Sequence, residues 1–109
     1  MIKTILEAAG FVENVTYTES VFVKPPQRTF AVYFDDADAD GSDFTADYLR
    51  HDVRIELYAP NKADAAAERR LEAAMNAHGV HYRRISRVWL ESERYFMTTY
   101  YFDFTAKEQ

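Results

Sequence analysis

The densest run of carboxylates in the chain lies at residues 35–47, DDADADGSDFTAD. Counted from Asp36, carboxylates stand at the first, third, fifth and twelfth positions, and Gly41 stands at the sixth. Loops of this pattern bind calcium in EF-hand proteins, because the side chains supply oxygen ligands and the glycine permits a sharp turn. The spacing therefore raises calcium binding over residues 36–47 as a hypothesis.

The flanks of this run favour a different interpretation. An EF-hand loop lies between two helices, whereas the residues on both sides here have the alternation of β-strands. Asp43 occupies the eighth position, where an aliphatic residue normally anchors the loop, and Asp47 is shorter than the glutamate that usually chelates from the twelfth. We therefore expect an acidic hairpin connection that bends at Gly41, and the sequence leaves calcium binding open.

The residue types that most often perform catalysis are scattered along the chain. His51 falls on the apolar face of a strand, and His78 and His81 bracket the glycine at a helix end without a third metal ligand beside them. The serines lie outside a nucleophile elbow, the chain has 3 glycines, too few for a phosphate-binding loop, and it has no cysteine. We predict that the protein is not an enzyme and has no catalytic residue, no cofactor and no metal ligand.

A second cluster combines arginine with aromatic residues between positions 82 and 95. Such a mixture binds single-stranded nucleic acid through stacking and phosphate contacts, and it is equally typical of the energetic centre of a protein–protein interface. The formal net charge of −5 disfavours nucleic acid, since phosphate neutralisation supplies most of that affinity. We therefore predict a protein interface, and a nucleic-acid-binding module is the alternative. The candidate interface residues are Arg83, Arg84, Arg87, Trp89, Tyr95, Met97 and Tyr101.

The length and composition fit one small folded domain. A chain of 109 residues can form a single core, and a hydrophobic fraction of 48% with 16% aromatic residues excludes a disordered chain. The aromatic content also exceeds what one small core consumes. The apolar runs are too short to span a bilayer, so we expect no membrane partner.

Hydrophobic periodicity divides the chain into two helices and four strands. Residues 1–10 are predicted to form a short helix, and residues 60–79 a second helix with Asn61 as its N-cap and Gly79 at its end. Pro25 and Pro26 cannot donate to a strand ladder, so residues 11–28 are predicted to be an extended arm or loop. Strands are predicted at residues 28–36, 47–59, 80–91 and 94–104. In the strand at 47–59 alternation predicts a buried face and a wetter face with Arg54 and Glu56; the buried face comprises Leu49, Val53, Ile55 and Leu57. In the second helix the predicted inward stripe is Ala67, Leu71, Ala74 and Met75.

The order of these elements predicts a fold. We expect one α+β domain over residues 1–109, a two-layer sandwich with two helices on one face of a four-stranded antiparallel sheet, in the order α-β-β-α-β-β. In the last strand Phe96, Tyr100 and Phe102 point one way, and Tyr95, Met97 and Tyr101 point the other way. A strand that is apolar on both faces needs a second partner surface besides its own helices.

Several short motifs occur together: a Pro-Pro pair before a strand, an acidic SDFTAD patch, an IELY strand, and WLESE ahead of a final aromatic strand. The positions that carry them are Pro25, Pro26, Asp43, Phe44, Ala46, Asp47, Ile55, Glu56, Leu57, Tyr58, Gly79, Tyr82, Trp89, Leu90, Ser92 and Glu93. In this combination the chain resembles a family of small phage and prophage proteins, the tail terminator or tail completion proteins. The DDADADG insert and the arginines around residue 84 depart from the family pattern.

The resemblance implies a structural role in a virion. Proteins of this kind resemble ring-forming subunits, typically hexamers, that cap the tail tube at its head-proximal end and offer a docking face to the head. The implied partners are further copies of the chain, the major tail tube protein and the head–tail connector protein. The implied location is the virion tail, with the host cytoplasm during assembly. Another head–tail connector or joining protein of similar size is an alternative.

Overall fold

The computed structural model describes residues 1–39 and 48–107 of the chain. Helices and strands alternate irregularly along it. They are α1 (Ile2–Ala8), β1 (Tyr17–Glu19), β2 (Phe30–Ala39), β3 (Tyr48–Pro60), α2 (Ala65–Ala77), β4 (Arg83–Leu90) and β5 (Tyr95–Lys107). The mixture of helices with a mainly antiparallel sheet confirms the α+β class.

The described residues form a sheet of five strands in the order β1-β2-β3-β5-β4. β1 runs parallel to β2, and the other three pairings are antiparallel. The prediction of four antiparallel strands is therefore wrong, because a short strand lies inside the segment assigned to an arm. Pro25 and Pro26 follow β1 by several residues and lie in the connection to β2, so they do not interrupt its ladder.

Strand β1 belongs to the folded domain rather than to a free arm. The Tyr17 side chain is fully buried, and its hydroxyl donates a hydrogen bond to Glu7 of α1 at 2.6 Å. Phe11, earlier in the same segment, is also buried. The strand ends before Ser20, whose φ of 67° changes the direction of the backbone. What remains outside the regular elements is a connection over residues 20–29, which we call the arm.

Both helices pack on one face of the sheet and form one core with it. The alternation predicted for β3 is confirmed, because Val53, Ile55 and Leu57 are buried on this face. The inward stripe predicted for α2 is likewise buried. The core consists of Ile2, Ile5, Leu6, Ala9, Phe11, Tyr17, Ala31, Tyr33, Val53, Ile55, Leu57, Ala67, Leu71, Ala74, Met75, Val80, Tyr100 and Phe102.

The ends of α2 show one wrong prediction and one confirmed prediction. The N-cap is Asp64, whose carboxylate accepts a hydrogen bond from the backbone N–H of Ala67 at 3.0 Å. Asn61, the predicted cap, lies in the preceding turn with a φ of 63°. Gly79 ends the helix as predicted, with a φ of 70° that glycine adopts without strain.

The acidic run begins inside a strand. Asp36 belongs to β2 and pairs with Asp52 of β3, as expected for a hairpin rather than for a loop between helices. The predicted bend at Gly41 and most of the hypothetical calcium loop fall on residues 40–47, which lie outside the described part of the chain. Calcium binding stays a hypothesis.

Candidate functional site

The face of the sheet opposite the helices is where the candidate interface residues can meet a partner. No helix or strand of the described residues packs on this side, which we call the open face. Strand register arranges its side chains in rows across β2, β3, β5 and β4. The first row is Phe30, Tyr58, Met97 and Val88, the second is Val32, Glu56, Thr99 and Ile85, and the third is Phe34, Arg54, Tyr101 and Arg83.

Aromatic rings fill one end of the open face. Phe30 stacks on Tyr58 with a centroid distance of 5.1 Å, and Tyr95 packs edge-on against both rings at 5.6 and 5.9 Å. Phe22 of the arm completes the cluster with an edge contact to Phe30 at 5.5 Å. Phe30 is only 5% exposed as a result. The arm therefore shields this end of the face within a single chain.

At the other end arginines alternate with aromatic rings across the strands. The Arg54 guanidinium lies 4.1 Å from the centroid of Phe34, and the Arg83 guanidinium lies 5.2 Å from that of Tyr101. The buried Nε of Arg54 lies 3.1 Å from a carboxylate oxygen of Glu56. This contact is an ion pair without hydrogen-bond geometry, so the Nε has no hydrogen-bond partner in the described residues. Arginines stacked on aromatic rings are enriched at the centres of protein–protein interfaces.

A row of carboxylates follows the arginine row. Asp36, Asp52 and Asp103 stand directly opposite one another on β2, β3 and β5. Like charges in register destabilise a sheet, and Arg50 offsets this by reaching Asp103 at 2.9 Å and Asp52 at 3.4 Å. Together with Phe34, Tyr101 and other residues of both rows, they line an open groove of about 810 Å³.

Two of the predicted interface arginines point to the helix side of the sheet instead. Arg87 forms two hydrogen bonds of 2.8 Å with the carboxylate of Glu68 on α2, and Arg84 reaches the same carboxylate at 3.1 Å. Thr98 also donates to Glu68, at 2.7 Å. The bonds from Arg87 and Thr98 outweigh burial and lower the pKa of the Glu68 carboxyl to about 2. Arg84 also lies 3.4 Å from Glu72, so the charges of Arg84 and Arg87 are largely neutralised within this chain itself.

Trp89 also lies on the helix side, near the edge of the sheet. Its ring packs against Phe96 with a centroid distance of 4.8 Å, and the Arg94 guanidinium lies 5.9 Å from it. Its indole N–H donates to Glu91. The seven candidate interface residues thus divide between two faces: Tyr95, Met97, Tyr101 and Arg83 lie on the open face, and Arg84, Arg87 and Trp89 do not.

Strand β4 forms an exposed edge of the sheet. Seven of its eight residues, Arg83 to Trp89, are exposed, and Ile85 and Val88 on the open face are each 42% accessible. The register between β4 and β5 shifts between Ile85 and Val88. Arginines and a bulge are common on edge strands, where they discourage indiscriminate pairing. A specific partner strand or segment can still use such an edge.

The three histidines do not converge. His51 lies on the core side, where its Nδ1 is 2.8 Å from Asp35 and its ring stacks on Phe104 at 4.4 Å. The His78 Nδ1 lies 2.8 Å from the carbonyl oxygen of Ala74, and His81 is exposed two residues before β4. Within residues 1–39 and 48–107 no group of three or more potential ligands could hold a metal ion. In the same residues no helix is both long and apolar enough to cross a membrane.

Three residues of the open face and of the β4–α2 contact were not predicted from the sequence. Arg54 and Glu56 were assigned to the wetter face of β3 but not to an interface, although the strict alternation of DVRIELY places them beside Tyr101 and Thr99. Glu68 was overlooked because an acidic residue on a helix is usually exposed. Its position one residue after Ala67 of the inward stripe was the available signal.

Comparison with known proteins leaves the family open. No protein-family model matches the chain, and no curated protein matches it significantly.

Proposed function

We propose that the protein is a structural subunit of a phage or prophage virion, a tail terminator or tail completion protein. In this proposal copies of the chain form a ring that caps the tail tube and joins it to the head connector. The proposal assigns no reaction and no cofactor to the chain. Its motif-level support is the resemblance of the PP, SDFTAD, IELY and WLESE segments to that family.

The observation that carries the proposal is the open face together with the β4 edge. In the described residues this side of the sheet has no second layer, and its β4 end exposes Ile85, Val88 and Tyr101 beside Arg83. Exposed apolar and aromatic side chains with a stacked arginine are characteristic of surfaces that a protein partner covers. A subunit that works by packing between other subunits needs such a surface and needs no polar cleft.

The proposal is tested on tail tubes. Tubes should be assembled from the major tail tube protein of the same genome, with and without this chain, and examined by electron microscopy. We expect shorter tubes with a ring of extra density at one end, because a terminator stops polymerisation by occupying the growing end. Tubes of unchanged length without end density, at saturating concentrations of the chain, would rule the function out.

Variants at the exposed end of the open face should separate interface from fold. We expect the double substitution Tyr101→Ser and Val88→Ser to abolish ring formation on tubes while changing the free energy of unfolding by less than about 1 kcal/mol. Ala73→Ser, on the exposed surface of α2, is the matched control and should cap tubes normally. Tyr95 is a poorer position for this test, since its ring contacts Phe30 and Tyr58 within the chain. Normal capping by the double variant would show that this end of the face is not the interface.

The alternative of a nucleic-acid-binding module has less support from the geometry. Arg83 and Arg94 stack on Tyr101 and Trp89, but these pairs lie on opposite faces, and the carboxylates of Glu68 and Glu72 together neutralise Arg84 and Arg87. We expect no retention of single-stranded DNA in a filter-binding assay at low salt. Retention that falls steeply with added salt and disappears in Arg83→Ala would favour this alternative instead.

A further inference from the structure

Both ends of the sheet expose aliphatic side chains. At the β4 end the exposed apolar residues are Ile85 and Val88, on an edge strand that pairs on one side only. At the β1 end the arm exposes Val21 and Val23, which are 71% and 102% accessible. Full exposure of a valine within an anchored segment is unusual, because burial of its side chain removes unfavourable hydration. Both ends therefore carry aliphatic surface that a partner can cover.

The arm is anchored but leaves its backbone free. Phe22 packs against Phe30, which fixes the segment beside the open face, while its neighbours Val21 and Val23 project away from the protein. In the described part of the chain the N–H groups of Phe22, Val23 and Lys24 donate to no protein acceptor. Strand β4 has a matching set of free backbone groups along its outer edge. Both segments can satisfy these groups by pairing with one another.

The outer side of β1 cannot serve as a second free edge. The Tyr17 N–H donates to the Val12 carbonyl, and the Tyr17 carbonyl accepts from the Asn14 N–H, so the preceding turn caps this side of the strand. Within the described residues the open edge of the sheet is thus at β4, and the opposite end exposes several valines, among them Val21 and Val23 of the arm. Elements at opposite ends of a subunit make heterologous contacts, which close into rings or continue as filaments.

We propose that residues 21–24 of the arm dock on the β4 edge of a second copy of this chain, with Val21 and Val23 packed against Ile85 and Val88. Head-to-tail repetition of this contact builds the ring. The inference rests on the proposed function, since that function gives the ring its size and its use. The contact between the arm and β4 is tested separately.

The charges of β4 argue for this occupant over a β4–β4 contact. β4 carries three arginines and no acidic residue, so two β4 strands that pair with one another offer no new charge pair. The arm instead follows Glu19, the last residue of β1, which has no ion pair in the described residues and brings a carboxylate towards a strand that carries arginines and no acidic residue.

The absence of cysteine from the sequence permits a direct test. Two single variants, Val23→Cys and Ile85→Cys, are prepared with tags of different mass, mixed at high concentration and oxidised, and the mixed disulfide dimer is followed on non-reducing gels. The reference mixture pairs Val23→Cys with Ala73→Cys, which is exposed on α2 at the helix side. We expect the mixed dimer of positions 23 and 85 to form at least about tenfold faster than the reference, because docking raises the effective concentration of the two thiols.

A second measurement uses one chain that carries both Val23→Cys and Ile85→Cys. Oxidation should give a ladder of multimers that ends in a closed species resistant to further growth, whereas each single variant can form only dimers. Equal rates in the two mixtures of single variants would overturn the docking contact. If rates are equal and the unmodified chain still caps tail tubes, the contact is wrong and the function stands. If the 23–85 disulfide forms quickly and tubes remain uncapped, the contact stands and the function is wrong.

Discussion

Glu68→Gln will lower the free energy of unfolding by about 2 to 3 kcal/mol at neutral pH, the largest effect we expect from a single polar substitution. The Glu68 carboxylate is 5% exposed and accepts hydrogen bonds from Arg87, Arg84 and Thr98. A neutral amide cannot accept all of these bonds, and it leaves Arg87 without its counter-charge while Arg84 keeps only Glu72. Urea unfolding followed by circular dichroism measures the loss.

The effect will depend on pH in a defined direction. The carboxyl of Glu68 titrates near 4.5 in the unfolded chain, and the hydrogen bond from Arg87 lowers its folded pKa to about 2. A group whose pKa is lowered by folding stabilises the fold fully above its unfolded pKa and loses that contribution as the pH falls through the folded value. The full contribution corresponds to about 3 kcal/mol, so wild type and Glu68→Gln should converge in stability between about pH 4.5 and pH 2.

Two comparisons make this prediction specific to Glu68. Glu93→Gln changes a carboxylate of the exposed β4–β5 turn and should leave the unfolding free energy within about 0.5 kcal/mol of wild type. A constant difference between wild type and Glu68→Gln from pH 7 down to pH 2 would show that the Glu68 charge is not the source of the stability.

The Glu68 network also explains how β4 is held as an edge strand. β4 pairs with β5 on one side only, and Arg84 and Arg87 connect its backbone to helix α2 through Glu68. These contacts fix the position of β4 and leave its outer backbone edge uncovered. In the proposed head-to-tail contact this fixed edge receives the arm of the next copy. Arg84 and Arg87 then act inside the chain rather than across the interface.

The arginines of β4 lie on two faces of the sheet, and alternation along the sequence assigns one of them to the wrong face. Strict alternation places Arg83, Ile85, Arg87 and Trp89 on one face of β4. The irregularity between Ile85 and Val88 changes the parity, so Arg87 and Trp89 point to the helix side with Arg84. A bulge depends on pairing with a distant strand, and no local composition reveals it.

Other elements were predictable because their signals are local. The buried face of β3 follows from strict alternation, and the inward stripe of α2 follows from helical spacing. Strand β1 was missed because three residues in a parallel pair with a later strand have too short a pattern to recognise. The N-cap was assigned to Asn61 rather than Asp64 because both residue types cap helices, and only the bonds from Thr29 and Ala67 distinguish them.

Phe30→Ala will cost about 3 kcal/mol of unfolding free energy although Phe30 lies on the face without helices. Phe30 is 5% exposed because Phe22, Tyr58 and Tyr95 surround it. Removing the ring leaves a cavity under the arm and deletes the contact that anchors residues 20–29. Trypsin should then cleave after Arg28 in the otherwise folded protein, and chemical denaturation gives the stability.

Tyr101→Ala on the same face is the informative comparison, since Tyr101 is exposed and contacts Arg83 at the uncovered end. We expect it to cost less than about 1 kcal/mol and to leave the arm protected from trypsin. This contrast separates the part of the open face that the chain covers itself from the part left for a partner. If the two substitutions cost the same, the arm does not shield the aromatic end, and the anchored arm on which the head-to-tail contact depends would have to be abandoned.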